Sequence, residues 1–289
     1  SRQTLHFYSH GCELLAPKSA LAARVADAML QSLADGKIVP AEIQDDRYFL
    51  YRMPEHLESY IDYGARTPGG TLPYERPDFQ KIFPEGRYFI EKKHNLYLLG
   101  NAAKGGVVKF FRTDTGKMLE NDCGIIGKTT EGKVLTSQWI DPSFTFTAQE
   151  HGFTVTGNLK NVPMAKVFTP LKRIVFVLFM LAVGWHTGMA YRIKGWIRSI
   201  LVFTKKVSPA TFERHVELRG ETLHIRDVLT GNGVRFSALE IGDEFFVRYV
   251  PQSCYFQSQE LDAKRIVLTA EQLKHLNEKG SFSLERTVR

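Results

Sequence analysis

The chain has 289 residues, 43% of them hydrophobic and 12% aromatic, which suits one large or two smaller domains with a sizeable core. Its net charge is +7, yet nine basic residues fall between His151 and Phe212, where there is no Asp or Glu, leaving the rest acidic by 2. So local a basic character excludes a general nucleic-acid-coating surface, and three distant cysteines (Cys12, Cys123, Cys254) exclude a disulfide scaffold or a metal-ligand spacing.

The chain opens on Ser1 without a signal-like leader, which reads as a fragment or a processed chain. In this opening segment His6, Tyr8 and His10 alternate, with Arg2 close by. Tyr and His within reach of one another can share proton transfer. The same side chains also suit plain packing near a helix start. Residues 1–66 read as helical: Leu21, Val25, Met29 and Leu33 repeat every fourth residue, Pro17 suits the start and Gly36 the stop. A second helix over about residues 54–63 puts Leu57, Tyr60 and Ile61 on one face and ends at Gly64. Residues 67–86, with four prolines and three glycines, read as a linker.

From Arg87 the pattern changes to short runs rich in β-branched and aromatic residues (RYFIE, LYLLGN, VVKFFRTD, KVLTSQWI, FTFTA, FTVTGN), separated by turns such as KKHN and DTGK. The pattern resumes after residue 206 with TFERHVEL, TLHIRDV, VRFSALEI and EFFVRYV. The expected fold is mainly β: a large antiparallel β-sandwich over residues 87–289, preceded by the helical region and interrupted by a helical hairpin at 168–206. Thr269 and Gln272 fit a capping box for a short helix through Lys279. GIIGKT (124–129) lacks the glycine and the following helix of a phosphate-binding loop, and reads as a β-turn. GNAAKGG (100–106) reads as a bulge or a close backbone approach, with Asn101 and Lys104 as candidate ligand contacts. Trp139 is a candidate sugar-stacking residue or a core tryptophan. His94, His151, His215 and His224 are scattered, and no metal or cofactor is expected.

The hairpin begins with an apolar run from Ile174 to Trp185, whose twelve residues rise about 18 Å as a helix, short of a hydrocarbon core of about 30 Å. A second run sets Arg192, Lys194 and Arg198 among Ile193, Trp196, Ile197, Ile200 and Leu201. Basic residues, Trp and an apolar stripe are the composition of a helix lying in a membrane interface. Phe176, Phe179, Trp185, Arg192, Lys194, Trp196 and Arg198 are the candidate contacts, and the partner would be a membrane surface with anionic lipid. The alternative is a helical pair packed on the β domain with solvated lysines.

A helical piece and a Pro/Gly linker, followed by a sandwich with segments such as YLLGNAAKGGVVKFF, SQWIDPSF and FERHVELRGETLHIRDVL, resemble the C-terminal half of the heparinase II/III-like polysaccharide lyases. In that family a helical toroid precedes a β-sandwich, and acidic polysaccharides are cut by β-elimination. The resemblance implies a catalytic Tyr8 with His6, His10 or His94 as helpers, and substrate contacts from Arg2, Asn101, Lys104 and Trp139. The family's Asn/His pair would lie before Ser1, and only His94 stands near the position of its sandwich histidine. The expectation is a lyase acting on an acidic polysaccharide at the cell envelope, peripherally bound to a membrane. A non-catalytic protein of polysaccharide assembly or binding is the alternative.

Overall fold

The computed structural model describes residues 9–35, 46–162, 174, 177–179, 181, 186–198, 206–242 and 265–289. They fall into two compact units, the first within Ser1–Phe79 and Lys92–Asn95, the second within Gln80–Glu91, Leu96–Phe245 and Asp262–Arg289.

The first unit carries helices α1 (His10–Leu15), α2 (Ala20–Ala34) and α3 (Asp46–Ile61). Pro17 is not a helix start but lies in the turn between α1 and α2. The four-residue repeat of α2 is not its inner face either: Leu21 is exposed, and the small side chains of Ala23 and Ala26 are buried instead. Small residues let helices approach closely, which a stripe of leucines would prevent. α3 starts eight residues earlier than the sequence suggests and keeps Pro54 inside it. Leu57, Tyr60 and Ile61 share a face, but that face is exposed, while Ser59 turns inward to meet Ser9 at 2.7 Å between hydroxyls. Arg66 locks the unit. Its Nη2 donates to the buried Glu13 at 3.0 Å, its Nε to Asp27 at 2.8 Å, and its guanidinium lies 4.0 Å above the Tyr63 ring. These bonds hold its pKa above the ordinary guanidinium value, the Glu13 hydrogen bond most of all.

The rest is mainly β, in two antiparallel sheets. The first is a meander of β1 (Asp78–Phe83), β2 (Tyr88–Lys93), β3 (Leu96–Asn101), β4 (Val107–Arg112) and β5 (Met118–Asp122) in sequence order. β1 lies within the linker-like stretch 67–86 and is an edge strand of this sheet. The second sheet uses β6 (Ile125–Thr129), β7 (Val134–Thr136), β8 (Thr145–Gln149), β9 (Gly152–Val162), β10 (Lys206–Arg219), β11 (Thr222–Thr230), β12 (Phe236–Ile241), β13 (Ile266–Val267) and β14 (Ser281–Val288). Its order is β13-β12-β6-β7-β9-β10-β11-β14, and β8 shares with β7 the same side of the long β9. GIIGKT is therefore a strand, not a turn. Its Gly127 makes room for Phe236, whose ring a Cβ would meet at 2.7 Å. The EFFVRYV segment lies outside the described residues.

Alternation drives both sheets. On β10 the inward column is Phe212, Arg214, Val216 and Leu218, and on β11 it is Leu223, Ile225, Asp227 and Leu229. The core lies between the sheets, where Phe89 of the first packs on Phe153 of the second with ring centroids 5.6 Å apart. Each such phenylalanine contributes about 2–3 kcal/mol by leaving water. Helix α5 (Ala270–Lys279) starts at the expected capping box, Thr269 Oγ1 accepting from Gln272 N at 3.3 Å and Gln272 Oε1 from Thr269 N at 2.9 Å. Helix α4 (Thr187–Arg198) lies in the excursion between β9 and β10.

Candidate functional site

Arg2, His6 and Tyr8, the centre of the expected catalytic group, lie outside the described residues. The two remaining histidines each have carboxylate partners of their own. His10 sits at the start of α1 with Nε2 2.7 Å from Asp62 Oδ2 and Nδ1 3.3 Å from Glu58 Oε2, so both ring nitrogens are engaged. His94 occupies the turn between β2 and β3 at a φ of 52°. Its backbone N–H donates to Asp78 Oδ1 at 2.8 Å and its Nδ1 lies 3.3 Å from the same oxygen. The backbone bond first, then the ring, holds the Asp78 carboxyl below the usual carboxylate range.

The structure does bring GNAAKGG and SQWID together. Asn101 Oδ1 accepts from Lys104 N at 3.2 Å, closing a 3-10 turn over Ala102–Lys104, and Asp141 N donates to Ala103 O at 3.0 Å. Gly105 (φ 70°) passes so close to the Ser137 carbonyl that a Cβ would stand 2.2 Å from it. This is the close backbone approach that the glycines suggest. Lys104 and Trp139 are half-buried beside it. Asp141 pairs with the buried Lys160 at 2.8 Å, so one of the nine basic residues serves the core and not the excursion. Burial alone would raise the Asp141 pKa. The Lys160 and Ser143 hydrogen bonds outweigh it and lower the value to about 2.

The excursion shows a different pattern. The described helical positions Ile174, Val177, Leu178 and Leu181 follow the 0, +3, +4, +7 spacing of one helix face. All four are exposed, Leu178 at 60% and Leu181 at 73%, as are Phe179, Met189, Tyr191 and Arg192. Lys194, Trp196 and Arg198 belong to α4, while Phe176 and Trp185 lie outside the described residues. Among the described residues no helix is long and apolar enough to cross a membrane. Exposed apolar side chains on one helix face make this stripe a candidate interaction surface.

A second constellation was not anticipated. Inside the sandwich Arg214, with no solvent exposure, donates from Nε and Nη2 to the two oxygens of Asp227 at 2.6 and 3.1 Å. Its Nη1 reaches Asp122 Oδ1 at 2.9 Å and Gly106 O at 3.1 Å. Arg286 of β14 donates to Asp122 Oδ2 and, at 3.0 Å, to Asp227 Oδ2, and its Nη1 lies 3.6 Å from Glu120. Burial works against the Asp122 charge, yet Arg214 and then Arg286 overcome it and hold this carboxyl below its ordinary value. β5 and β14 are terminal strands of their sheets, so the cluster joins the two sheets along one side of the sandwich. Arg214 and Asp227 are direct cross-strand partners in columns otherwise apolar, a signal that the sequence carries. Asp122, Glu120 and the pairing with Arg286 carry no such local mark. Glu120, Asp122 and Asp227 face two guanidiniums, and all but Arg286 are buried, so the cluster ties β5 of the first sheet to β10, β11 and β14 of the second.

Among the described residues no group of three or more His, Cys, Asp or Glu is placed to hold a metal ion. Compared with known protein families, curated proteins and solved structures, the chain matches none.

Proposed function

We propose that this chain is a β-sandwich protein held at an anionic membrane surface by residues 168–206, where it engages an acidic polysaccharide at the cell envelope. The observation that carries the docking reading is the exposed apolar stripe of Ile174, Val177, Leu178 and Leu181 within a stretch free of Asp and Glu. A stripe buried at the lipid boundary with lysines and arginines toward anionic head groups gains from both area and charge. Flotation with vesicles containing anionic lipid tests it. Changing Arg192, Lys194 and Arg198 to Glu removes about 1 kcal/mol per basic residue before any repulsion, so partitioning is expected to fall by about 100-fold or more. Unchanged flotation of that variant, or no flotation of the parent chain, rejects the docking.

The polysaccharide part rests on the family likeness. Both His10 nitrogens lie within reach of carboxylates, Asp62 at 2.7 Å and Glu58 at 3.3 Å, so the described residues give the binding reading as much support as β-elimination. The lyase reading rests on Tyr8 with Arg2 and His6. Exposure to uronate polymers, followed by the absorbance of an unsaturated product, separates the two. Product formation that disappears in Tyr8→Phe makes the protein a lyase; no product from any polymer leaves binding.

A further inference from the structure

The second unit contains an open cleft of about 590 Å³ at the point where the excursion leaves and rejoins the sheet. Asn161, one residue before the end of β9, and Val207, the second residue of β10, both line it. The rest of the lining comes mainly from the β6–β7 turn and the segment before β12. Thr130 N donates to Arg235 O at 3.0 Å and ties these two pieces together. The volume is that of a small-molecule site, and most of its described lining residues are polar or charged.

The charge and the polar side chains of the lining point to the ligand chemistry. Glu131, the only acid among the described lining residues, is taken up by Lys133 at 2.5 Å. Arg235 has no ion pair or hydrogen bond from its guanidinium, and Asn161 none from its amide, among the described residues. A guanidinium without a carboxylate presents a planar fork that fits two oxygens of a phosphate. The Asn161 amide and the Thr130 hydroxyl, which line the same cleft, suit the ester and hydroxyl oxygens of such a ligand. We propose that this cleft binds a hydroxylated phosphate ester, either a soluble one or the head group of an anionic lipid. The site goes beyond membrane docking by the excursion and stands without it.

Calorimetric titration of the full chain with glycerol 3-phosphate is the direct test. The parent chain is expected to bind, and Arg235→Ala or Asn161→Ala to weaken binding by about tenfold each, since each removes a hydrogen bond to a charged or polar ligand group. Arg235 is exposed, so melting temperature should not change; Arg235→Lys, which keeps the charge but not the fork, should give an intermediate loss. No binding by the parent chain, or equal binding by Arg235→Ala, overturns the proposal. Flotation with phosphatidylglycerol vesicles then separates the sources. If Arg235→Ala also weakens flotation, the ligand is the lipid head group; if flotation holds while glycerol 3-phosphate binding falls, it is a soluble ester. The Arg192/Lys194/Arg198 reversal should leave glycerol 3-phosphate binding intact, so the cleft and the docking surface fail independently.

Discussion

Arg214 has no water to fall back on, so the effect of removing it depends on what it leaves behind. Arg214→Met leaves Arg286 as the one cation facing the buried carboxylates of Asp122 and Asp227, with Asp227 Oδ1 unpaired, and a loss of about 3–5 kcal/mol in urea unfolding is expected. Adding Asp227→Leu removes one stranded charge and leaves Asp122 with Arg286, so the double variant should regain a large part of that loss. A double variant no better than the single one would show that geometry, not stranded charge, sets the cost. Two of the depressed carboxyls, both in the second unit, give a pH signature. Asp122 and Asp141 both ionise more easily folded than unfolded, so their stabilisation is complete above the usual carboxylate pKa of about 4. It is lost as pH falls through the folded values, for Asp141 between about 4 and about 2. Urea midpoints should be flat from pH 7 to 5 and fall below 4, and Asp141→Asn should reduce that fall while lowering stability at pH 7. Gly105→Ala should cost roughly 1–3 kcal/mol, from the positive φ and from the Ser137 carbonyl in the path of the new methyl.

Among the elements, those with strong local signals were legible. The Thr269/Gln272 capping box starts α5 where the sequence places it, and Thr269→Ala should lower stability by about 1 kcal/mol. The alternation of TFERHVEL and TLHIRDV gave both strands of the β10–β11 hairpin, because a half-buried strand writes its two faces with a period of two. The sequence expectation of a helix from about residue 54 falls short of the N-terminus of α3, which carries Pro54 inside a helix of 16 residues. Its apolar face was found but its direction was not: periodicity shows that a face exists, and only packing shows what covers it. The strand Ile125–Thr129 differs from the turn that GIIGKT suggests, because Gly127 is small to admit the Phe236 ring across the β6–β12 pair.

Across the whole molecule, backbone protection should follow sheet position. β10 is bonded along its length to β9 on one side and β11 on the other, so its amides are expected to exchange slowest, with α4 among the fastest. Equal rates in β10 and α4 would contradict that order. What the sequence determined by itself was whatever depends on neighbours in the chain: strand phase, turns, the helix cap, and the acid-free excursion with its apolar run. The tertiary structure alone decided which distant groups meet. Asp122 precedes Arg214 by 92 residues and Arg286 by 164, and it finds both only because two sheets close face to face. Pairing over such separations is fixed by sheet order and register, and no local pattern of residues encodes it.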